Sequence, residues 1–260
     1  MSRALQIAST GMRAQERKIE STANNLANMN TDGFKRTDAR FADLMYQTVR
    51  AAGAQTADDA KAPAPTQVGL GTTLTATVRD FSQGAAKHTG NNLDVMIEGN
   101  GFFGVLRNNE VLYTRNGALR TDADGMITTT DGFPLEPEIR VPADAVAVEI
   151  GANGTVEAIM GDDVRRELGQ IRLYNLTNKN GLESMGRNLY RVTSDEVGEI
   201  REGVPGSTGF GTLQQGFLEA ANVEVVEEMV AMIAGQRAYE ANSKVIQTTD
   251  RMMEEANRLR

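Results

Sequence analysis

The sequence predicts an α+β protein in which long N- and C-terminal helices form an antiparallel coiled-coil pair, with a β-rich middle domain inserted between them. Apolar residues near both ends of the chain recur with helical spacing. The middle instead contains short alternating segments separated by glycine, asparagine and aspartate. All six prolines lie between Pro63 and Pro205, so the breakers of regular helices are confined to that middle.

The C-terminal helix is predicted over residues 222–260, which contain no proline and one glycine, Gly235. Asn222 is expected to be its N-cap. Its apolar residues come in adjacent pairs, and the last three recur every seven residues: Ala238/Tyr239, Val245/Ile246 and Met252/Met253. Paired positions at heptad spacing give two adjoining apolar faces, so the helix has room for at least two neighbours. A long core helix of a bundle is the alternative interpretation.

The N-terminal helix is predicted from an unbroken heptad stripe that ends near residues 24–30, where asparagines disfavour helix. The stripe consists of Leu5, Ala8, Met12, Gln15, Ile19, Thr22 and Leu26. Because the two heptad helices lie at opposite ends of the chain, we expect them to pair with each other and then with other subunits. The residues expected to mediate subunit assembly are Leu5, Ala8, Met12, Ile19, Leu26, Val225, Met229, Met232, Ile233, Tyr239, Ile246 and Met253.

Between the helices, residues 41–46 have a short apolar rhythm that suggests one or two further helical turns. Residues 51–67 contain no large apolar side chain and end with Pro63 and Pro65, which is typical of an extended or mobile arm or of a surface loop. The strand candidates are residues 72–81, 93–97, 104–106, 111–114, 146–150, 155–159, 171–176 and 189–192.

Composition excludes several classes of function. The chain has 27 basic and 35 acidic residues and a net charge of −8, which argues against nucleic acid as a partner. The absence of cysteine excludes disulfides and thiolate metal sites. Residues 1–30 lack the continuous apolar core of a cleaved signal peptide, and no run has the roughly 18 apolar residues of a membrane span. We therefore expect a soluble chain without a conventional export signal and without membrane insertion.

No catalytic, cofactor or metal site is predicted. Residues 99–104 match G-x-G-x-x-G, but strand rather than helix follows, so a tight bend beside two core phenylalanines is expected instead of a dinucleotide site. Residues 122–125 resemble the start of a calcium loop but lack its later ligands, which favours a β-turn. The single histidine, His88, is expected in a polar loop and supports neither a triad nor a zinc site.

Three groups of motifs resemble one protein family in the same order along the chain. They are the segments 23–28 (ANNLAN) and 31–36 (TDGFKR), the segments 93–103 (LDVMIEGNGFF) and 113–117 (YTRNG), and the segments 215–219 (QGFLE), 222–223, 227–230 and 236–244 (QRAYEANSK). Together they resemble the bacterial flagellar rod and hook axial proteins. The family-motif residues singled out are Asn24, Asn25, Leu26, Asn28, Gly33, Phe34, Gly99, Gly101, Phe102 and Phe103.

The resemblance implies a non-catalytic structural subunit that polymerises helically, is exported by the flagellar type III apparatus and lies in the periplasm-spanning rod of the basal body. The region 46–71 points to the distal rod, and proximal rod or hook-type subunits are the alternatives within the family. Implied partners are further copies of the chain, proximal rod proteins, the hook protein and the surrounding L- and P-ring proteins. From another class of protein, the alternative is a soluble coiled-coil binding module with a β domain.

Three domains are expected within this scheme. A terminal helical domain of the inner tube comprises residues 1–36 and 216–260. A connector comprises residues 37–92 and 204–215 and includes the arm 51–67, and a β-rich outer domain comprises residues 93–203.

Overall fold

The computed structural model describes residues 3–53, 55–57, 60–61, 63–161, 164–193 and 197–258. In chain order, the helices and strands are α1 (Arg3–Ala27), β1 (Thr37–Asp43), β2 (Gln47–Arg50), β3 (Gln55–Ala57), β4 (Ala60–Lys61), β5 (Thr66–Val68), β6 (Thr72–Arg79), β7 (Ala86–His88), β8 (Val95–Glu98), β9 (Phe102–Arg107), β10 (Glu110–Thr114), β11 (Leu119–Thr121), β12 (Ile127–Thr129), β13 (Leu135–Glu136), β14 (Ala145–Ile150), β15 (Thr155–Met160), β16 (Arg165–Gln170), β17 (Leu173–Leu176), β18 (Leu182–Gly186), β19 (Leu189–Val192), β20 (Ile200–Gly203), β21 (Thr212–Gln215), β22 (Phe217–Glu219) and α2 (Val225–Arg258). This order confirms the α+β class with two terminal helices and a β-rich middle.

The chain divides into two compact units. Unit 1 comprises Met1–Ala27, Thr37–Arg79 and Glu224–Arg260, and therefore contains both helices and strands β1 to β6. Unit 2 comprises Asn28–Arg36 and Asp80–Val223 and contains strands β7 to β22.

The two helices form close to where the sequence predicts them. Helix α1 ends at Ala27, where the asparagine-rich segment begins. Helix α2 has 34 residues and is therefore roughly 50 Å long. The predicted N-cap at Asn222 is wrong, because the helix begins at Val225 and its first turn is closed by the Glu228 N–H bond to the Glu224 carbonyl. The Asn222 side chain instead binds backbone within unit 2, accepting from Arg36 N–H and donating to the Asp80 carbonyl.

Helices α1 and α2 pack against each other in unit 1 and run in opposite directions where they meet. Gly11 faces Asn242, and a Cβ atom at Gly11 would lie 3.1 Å from Asn242 Nδ2. Gly235 faces Ile19, and a Cβ atom there would lie 2.9 Å from Ile19 Cγ1. The single glycine of α2 therefore allows the two backbones to approach closely.

Beside the helices, unit 1 contains an antiparallel ribbon of β1 and β6. The predicted helical turn at residues 41–46 is wrong, since β1 continues to Asp43. The burial of β1 alternates only from Ala39 to Ala42, and its register with β6 shifts between Arg40 and Phe41. Residues 41–43 are therefore strand, and residues 44–46 have no regular structure.

The predicted arm at residues 51–67 contains strands. β2 pairs with β5, and β3 pairs with β4, both antiparallel, so these described parts of the arm are paired strands. Every residue of β2 is exposed, which explains why this strand has no alternating signal in the sequence. Positions 54, 58, 59 and 62 of the arm lie outside the described residues.

Unit 2 is built around a seven-stranded antiparallel sheet with the order β18-β19-β10-β9-β17-β20, in which β13 also pairs with β9. A three-stranded sheet, β14-β15-β16, packs its buried residues into the same core. The fully buried side chains include Phe103, Leu119, Ile127, Leu135 and Leu173. The eight predicted strands all correspond to observed strands, with boundaries shifted by a few residues.

The two short motifs in unit 2 that resemble ligand sites have the predicted conformations. No helix follows Gly99, and Gly99 and Gly101 instead form a bend with φ of 106° and 141° before the buried Phe102 and Phe103. Asp122 and Gly125 close a turn through the Gly125 N–H bond to the Asp122 carbonyl. His88 lies in strand β7 and not in a loop, with its ring edge-to-face against Phe217.

Candidate assembly interface and buried charge cluster

The heptad stripe of α1 faces the interior of unit 1. Ala8 and Thr22 are buried, and the other five stripe residues, Leu5, Met12, Gln15, Ile19 and Leu26, are half-buried. The α1 members of the predicted assembly set therefore contribute first to packing within the subunit.

The inward face of α2 is different from the predicted one. Its most buried described positions are Glu228, Gly235 and Thr249, and half-buried Asn242 completes the seven-residue repeat. This inner face is therefore polar or small at its centre. Of the predicted assembly residues on α2, Met232, Ile246 and Met253 are half-buried beside this repeat.

The remaining predicted assembly residues of α2 are exposed. They are Val225, Met229, Ile233 and Tyr239. Together with Val226 and Val230, they concentrate apolar surface on the first turns of the helix. The exposed fractions are 74% for Val226, 51% for Met229, 61% for Val230 and 50% for Ile233. Val226, Met229, Val230 and Ile233 are spaced by three and four residues, so they lie on one helix face. We call these four residues the α2 strip.

Within unit 1, Asn25 attaches α1 to the ribbon. Its side chain is buried, accepts a hydrogen bond from Thr37 N–H at 2.9 Å and donates one to the Thr37 carbonyl at 2.9 Å. Ser21 Oγ donates to the same carbonyl at 2.9 Å. The Asn25 side chain thus serves as the hydrogen-bond partner for the N–H and carbonyl groups of Thr37, the first residue of β1. The neighbouring family-motif residue Asn24 is exposed, and Leu26 is half-buried.

Within unit 2, the turn at residues 31–34 requires glycine. Gly33 has φ of 74°, and a Cβ atom there would lie 2.8 Å from the backbone of Asn116. Its N–H donates to the Glu219 carbonyl at 2.7 Å. Asn28 opens the turn by accepting from Thr31 N–H, and Phe34 follows it half-buried. The first family motif is thereby held against the second and third.

The centre of this contact is a buried cluster of three charged residues, Lys35, Arg115 and Glu219, which we call the charge cluster. Lys35 Nζ lies 2.6 Å from Glu219 Oε1, and Arg115 Nη1 lies 3.3 Å from Glu219 Oε2. The three side chains have relative exposures of 1%, 2% and 0%. Each of the three groups of family motifs contributes one of them.

Backbone groups complete the charge cluster. Lys35 also donates to the Ser82 carbonyl at 2.6 Å, and Arg115 Nη2 donates to the Gly99 carbonyl at 2.7 Å. The Arg115 guanidinium lies 5.5 Å from the centroid of the Phe102 ring. The bend at Gly99 and Gly101 therefore presents both a carbonyl and an aromatic face to the buried cation.

Burial lowers the pKa of Lys35, and the Glu219 carboxylate opposes that change. Burial likewise lowers the pKa of Arg115, again opposed by Glu219. Two cations share one carboxylate, so removal of Glu219 would leave both buried without a counter-charge. The cluster is closed to solvent. The cluster joins the segments around Lys35, Arg115 and Glu219 within unit 2.

Among the described residues, no group of three or more histidines, aspartates or glutamates is arranged to hold a metal ion. None of the described helices is both long and apolar enough to cross a membrane.

Three sequence families match the chain, each over one of the segments described above. They are "Flagella basal body rod protein" over residues 5–35, "Flagellar hook protein FlgE/F/G D1 domain" over residues 96–158 and "Flagellar basal body rod FlgEFG protein C-terminal" over residues 214–259.

Relatives match along almost the whole length. The flagellar basal-body rod protein FlgG of Caulobacter vibrioides is 42% identical over 260 residues, covering 99% of each chain. That of Borreliella burgdorferi is 42% identical and covers 100% of this chain and 99% of its own. The chain belongs to the flagellar basal-body rod protein family. The FlgF rod protein of Caulobacter vibrioides is 32% identical, so within one organism the similarity favours FlgG, the distal rod protein.

Rod proteins of this family are structural and are not enzymes. The charge cluster was not among the residues selected from the sequence, although all three residues occur in the quoted motifs. The sequence does show that each of the three is a charged residue in a motif that also contains apolar and turn residues. The sequence cannot show that they meet, because Lys35 and Glu219 are 184 positions apart.

Proposed function

We propose that the chain polymerises helically with copies of itself into the distal rod of the flagellar basal body and transmits motor torque to the hook. The observation that carries this proposal is the α2 strip. Four large apolar side chains, each at least half exposed, lie on one helix face with spacing that suits a second helix or a groove.

The terminal helices are proposed to form an antiparallel coiled-coil pair at the inner tube of the polymer. Support comes from the opposite directions of α1 and α2 and from the seven-residue repeat of Glu228, Gly235, Asn242 and Thr249. A seam with these residues at its centre stabilises an isolated pair weakly, so neighbouring subunits would supply much of the apolar burial.

We propose a three-part domain scheme for the assembled subunit. Residues 1–36 and 216–260 form the helical inner domain, residues 37–92 and 204–215 with the arm 51–67 form the connector, and residues 93–203 form the outer β domain. We propose Leu5, Ala8, Met12, Ile19 and Leu26 on α1 as residues whose packing supports assembly. On α2 the proposed residues are Val225, Met229, Met232, Ile233, Tyr239, Ile246 and Met253.

The proposed partners are proximal rod proteins, the hook protein and the surrounding L- and P-ring proteins. Delivery would use the flagellar type III export apparatus without cleavage of a signal peptide, and assembly would take place in the periplasm. Membership of the rod family supports this location in the basal body.

Electron microscopy of the purified chain over a range of concentrations tests the proposal. Polymerisation predicts straight rods above a critical concentration. A soluble coiled-coil binding module predicts uniform particles at every concentration, and that result would reject the proposed function.

A further inference from the structure

Unit 1 has a groove on the side of α1 that faces the β ribbon. One face of α1 forms its first wall at Thr10, Arg13 and Arg17, and the other wall consists of Leu44, Thr72 and Leu74. The volume is about 260 Å³, and Leu74 is 41% exposed at its rim. We call this the α1 groove. Its floor is partly apolar, and its two charged lining residues are both arginines.

The α2 strip has the opposite charge. The segment 224–233, which contains the strip, has three acidic residues, Glu224, Glu227 and Glu228, and no basic one. Helix α1 has four basic residues, Arg3, Arg13, Arg17 and Lys18, and two acidic ones, Glu16 and Glu20, which gives a net charge of +2. Glu227 is exposed beside Val226 and Val230, where it can meet a cation on a docked partner.

We infer that the α2 strip of one copy docks in the α1 groove of a second copy. The inference rests on the proposed self-assembly and specifies which surfaces meet. Val226, Met229, Val230 and Ile233 supply the apolar anchors of a helix placed in a groove, and Glu227 pairs with the arginine wall.

The consequence is a head-to-tail contact. The strip and the groove are different surfaces, so each copy that offers its strip to one neighbour leaves its groove for another. Such a heterologous contact continues into an open helical polymer unless its rotation closes a ring. Because both surfaces belong to unit 1, the contact does not depend on unit 2.

Cross-linking between two differently marked chains tests this pairing. The sequence has no cysteine, so an introduced thiol is the only one in its chain. Chains with Ile233→Cys in the strip are mixed with chains bearing Leu74→Cys in the groove, and a short bismaleimide is added. We expect heterodimers that join position 233 to position 74.

Two control pairs measure accidental contact. Lys244→Cys replaces the strip marker with an exposed position on the polar part of α2, and Val146→Cys replaces the groove marker with an exposed position in unit 2. A strip-to-groove yield no higher than that of either control pair, in preparations that form rods, would overturn the inference and leave the proposed function intact. Failure of the unmodified chain to form rods at any concentration would overturn both.

A charge exchange tests the pairing of Glu227 with the arginine wall. Glu227→Lys on the strip chain, or Arg13→Glu on the groove chain, should each lower the heterodimer yield about tenfold. Mixing the two altered chains restores opposite charges and should recover most of the yield. Equal losses in the single and combined exchanges would contradict the assigned pairing.

Discussion

Unit 2 buries large apolar side chains completely, whereas unit 1 buries small or polar ones and leaves large apolar ones at its surface. Phe103, Leu119 and Ile127 have no exposed surface in unit 2. In unit 1 the buried helix residues are Ala8, Thr22, Asn25, Glu228, Gly235 and Thr249. Burial of apolar surface is the main favourable contribution to folding, so unit 2 has the means to fold alone and unit 1 depends on further burial. A polymer of subunits provides that burial.

The prediction with the largest expected effect concerns the stability of unit 2. Glu219→Gln removes the only carboxylate of the charge cluster and leaves Lys35 and Arg115 buried without it. We expect the free energy of unfolding to fall by about 3–5 kcal/mol. Urea denaturation followed by tyrosine fluorescence measures this. The control is Glu202→Gln, which breaks an exposed pair with Arg172 in the same unit and should leave the midpoint nearly unchanged.

The same variant has a predicted pH dependence. The pKa of Lys35 in the folded protein lies below its ordinary value of 10.5, and loss of the opposing carboxylate lowers that pKa further. Between the two values the unfolded chain binds more protons, so this lysine adds stability as the pH rises. The deficit of Glu219→Gln relative to the parent should therefore shrink as the pH is raised toward 10.5. A deficit that grows with pH would contradict the assigned role of Lys35.

The next prediction affects unit 1 alone. Met232→Pro or Ile19→Pro removes a hydrogen bond inside a helix and costs about 3 kcal/mol or more. The variants should remain soluble with unit 2 folded, but they should fail to form rods. Met232→Ala is the matched control, since alanine favours helix and still shortens the side chain. Normal rods from Met232→Pro would show that assembly does not use an intact α2.

A smaller effect is expected at the attachment of α1 to the ribbon. Asn25→Ala removes three hydrogen bonds with Thr37 and leaves the half-buried Thr37 N–H without this acceptor, at a cost of about 1–3 kcal/mol. Asn25→Asp keeps the acceptor for Thr37 N–H but places a buried carboxylate oxygen against the Thr37 carbonyl, so it should destabilise at least as much as Asn25→Ala. Amide exchange at β1 compares the three proteins, and protection equal to that of the parent in both variants would refute this role of Asn25.

Sequence reasoning succeeded where a buried strand is a short apolar run bounded by turn residues. The strands at Val95–Glu98 and Leu189–Val192 have apolar cores bounded by turn residues, and both were predicted. It failed at β1, where no residue is completely buried, and at β2, where all side chains are exposed. Neither strand has alternating apolar and polar residues in its sequence. Their strand conformation therefore depends on pairing with other strands.

The candidate site was predictable only in part. The heptad rule located α1 and α2 but placed the inner seam of α2 on its apolar pairs. The buried repeat instead follows Glu228, Gly235, Asn242 and Thr249, and the close approach of Ile19 leaves no room for a larger side chain at Gly235. Met229 and Ile233 lie outside this buried repeat and belong to the exposed α2 strip. Their value for assembly lies in contacts that a single chain does not make.

Hydrogen exchange on the monomer and on the polymer tests the difference between the two units most directly. In the monomer, the amides of α1 and α2 should exchange quickly while those of β8, β9 and β10 remain protected. In the polymer, both helices should become protected, and the β core should change little. Helices as well protected as β9 in a proven monomer would contradict the account, because unit 1 would then need no neighbour to be stable.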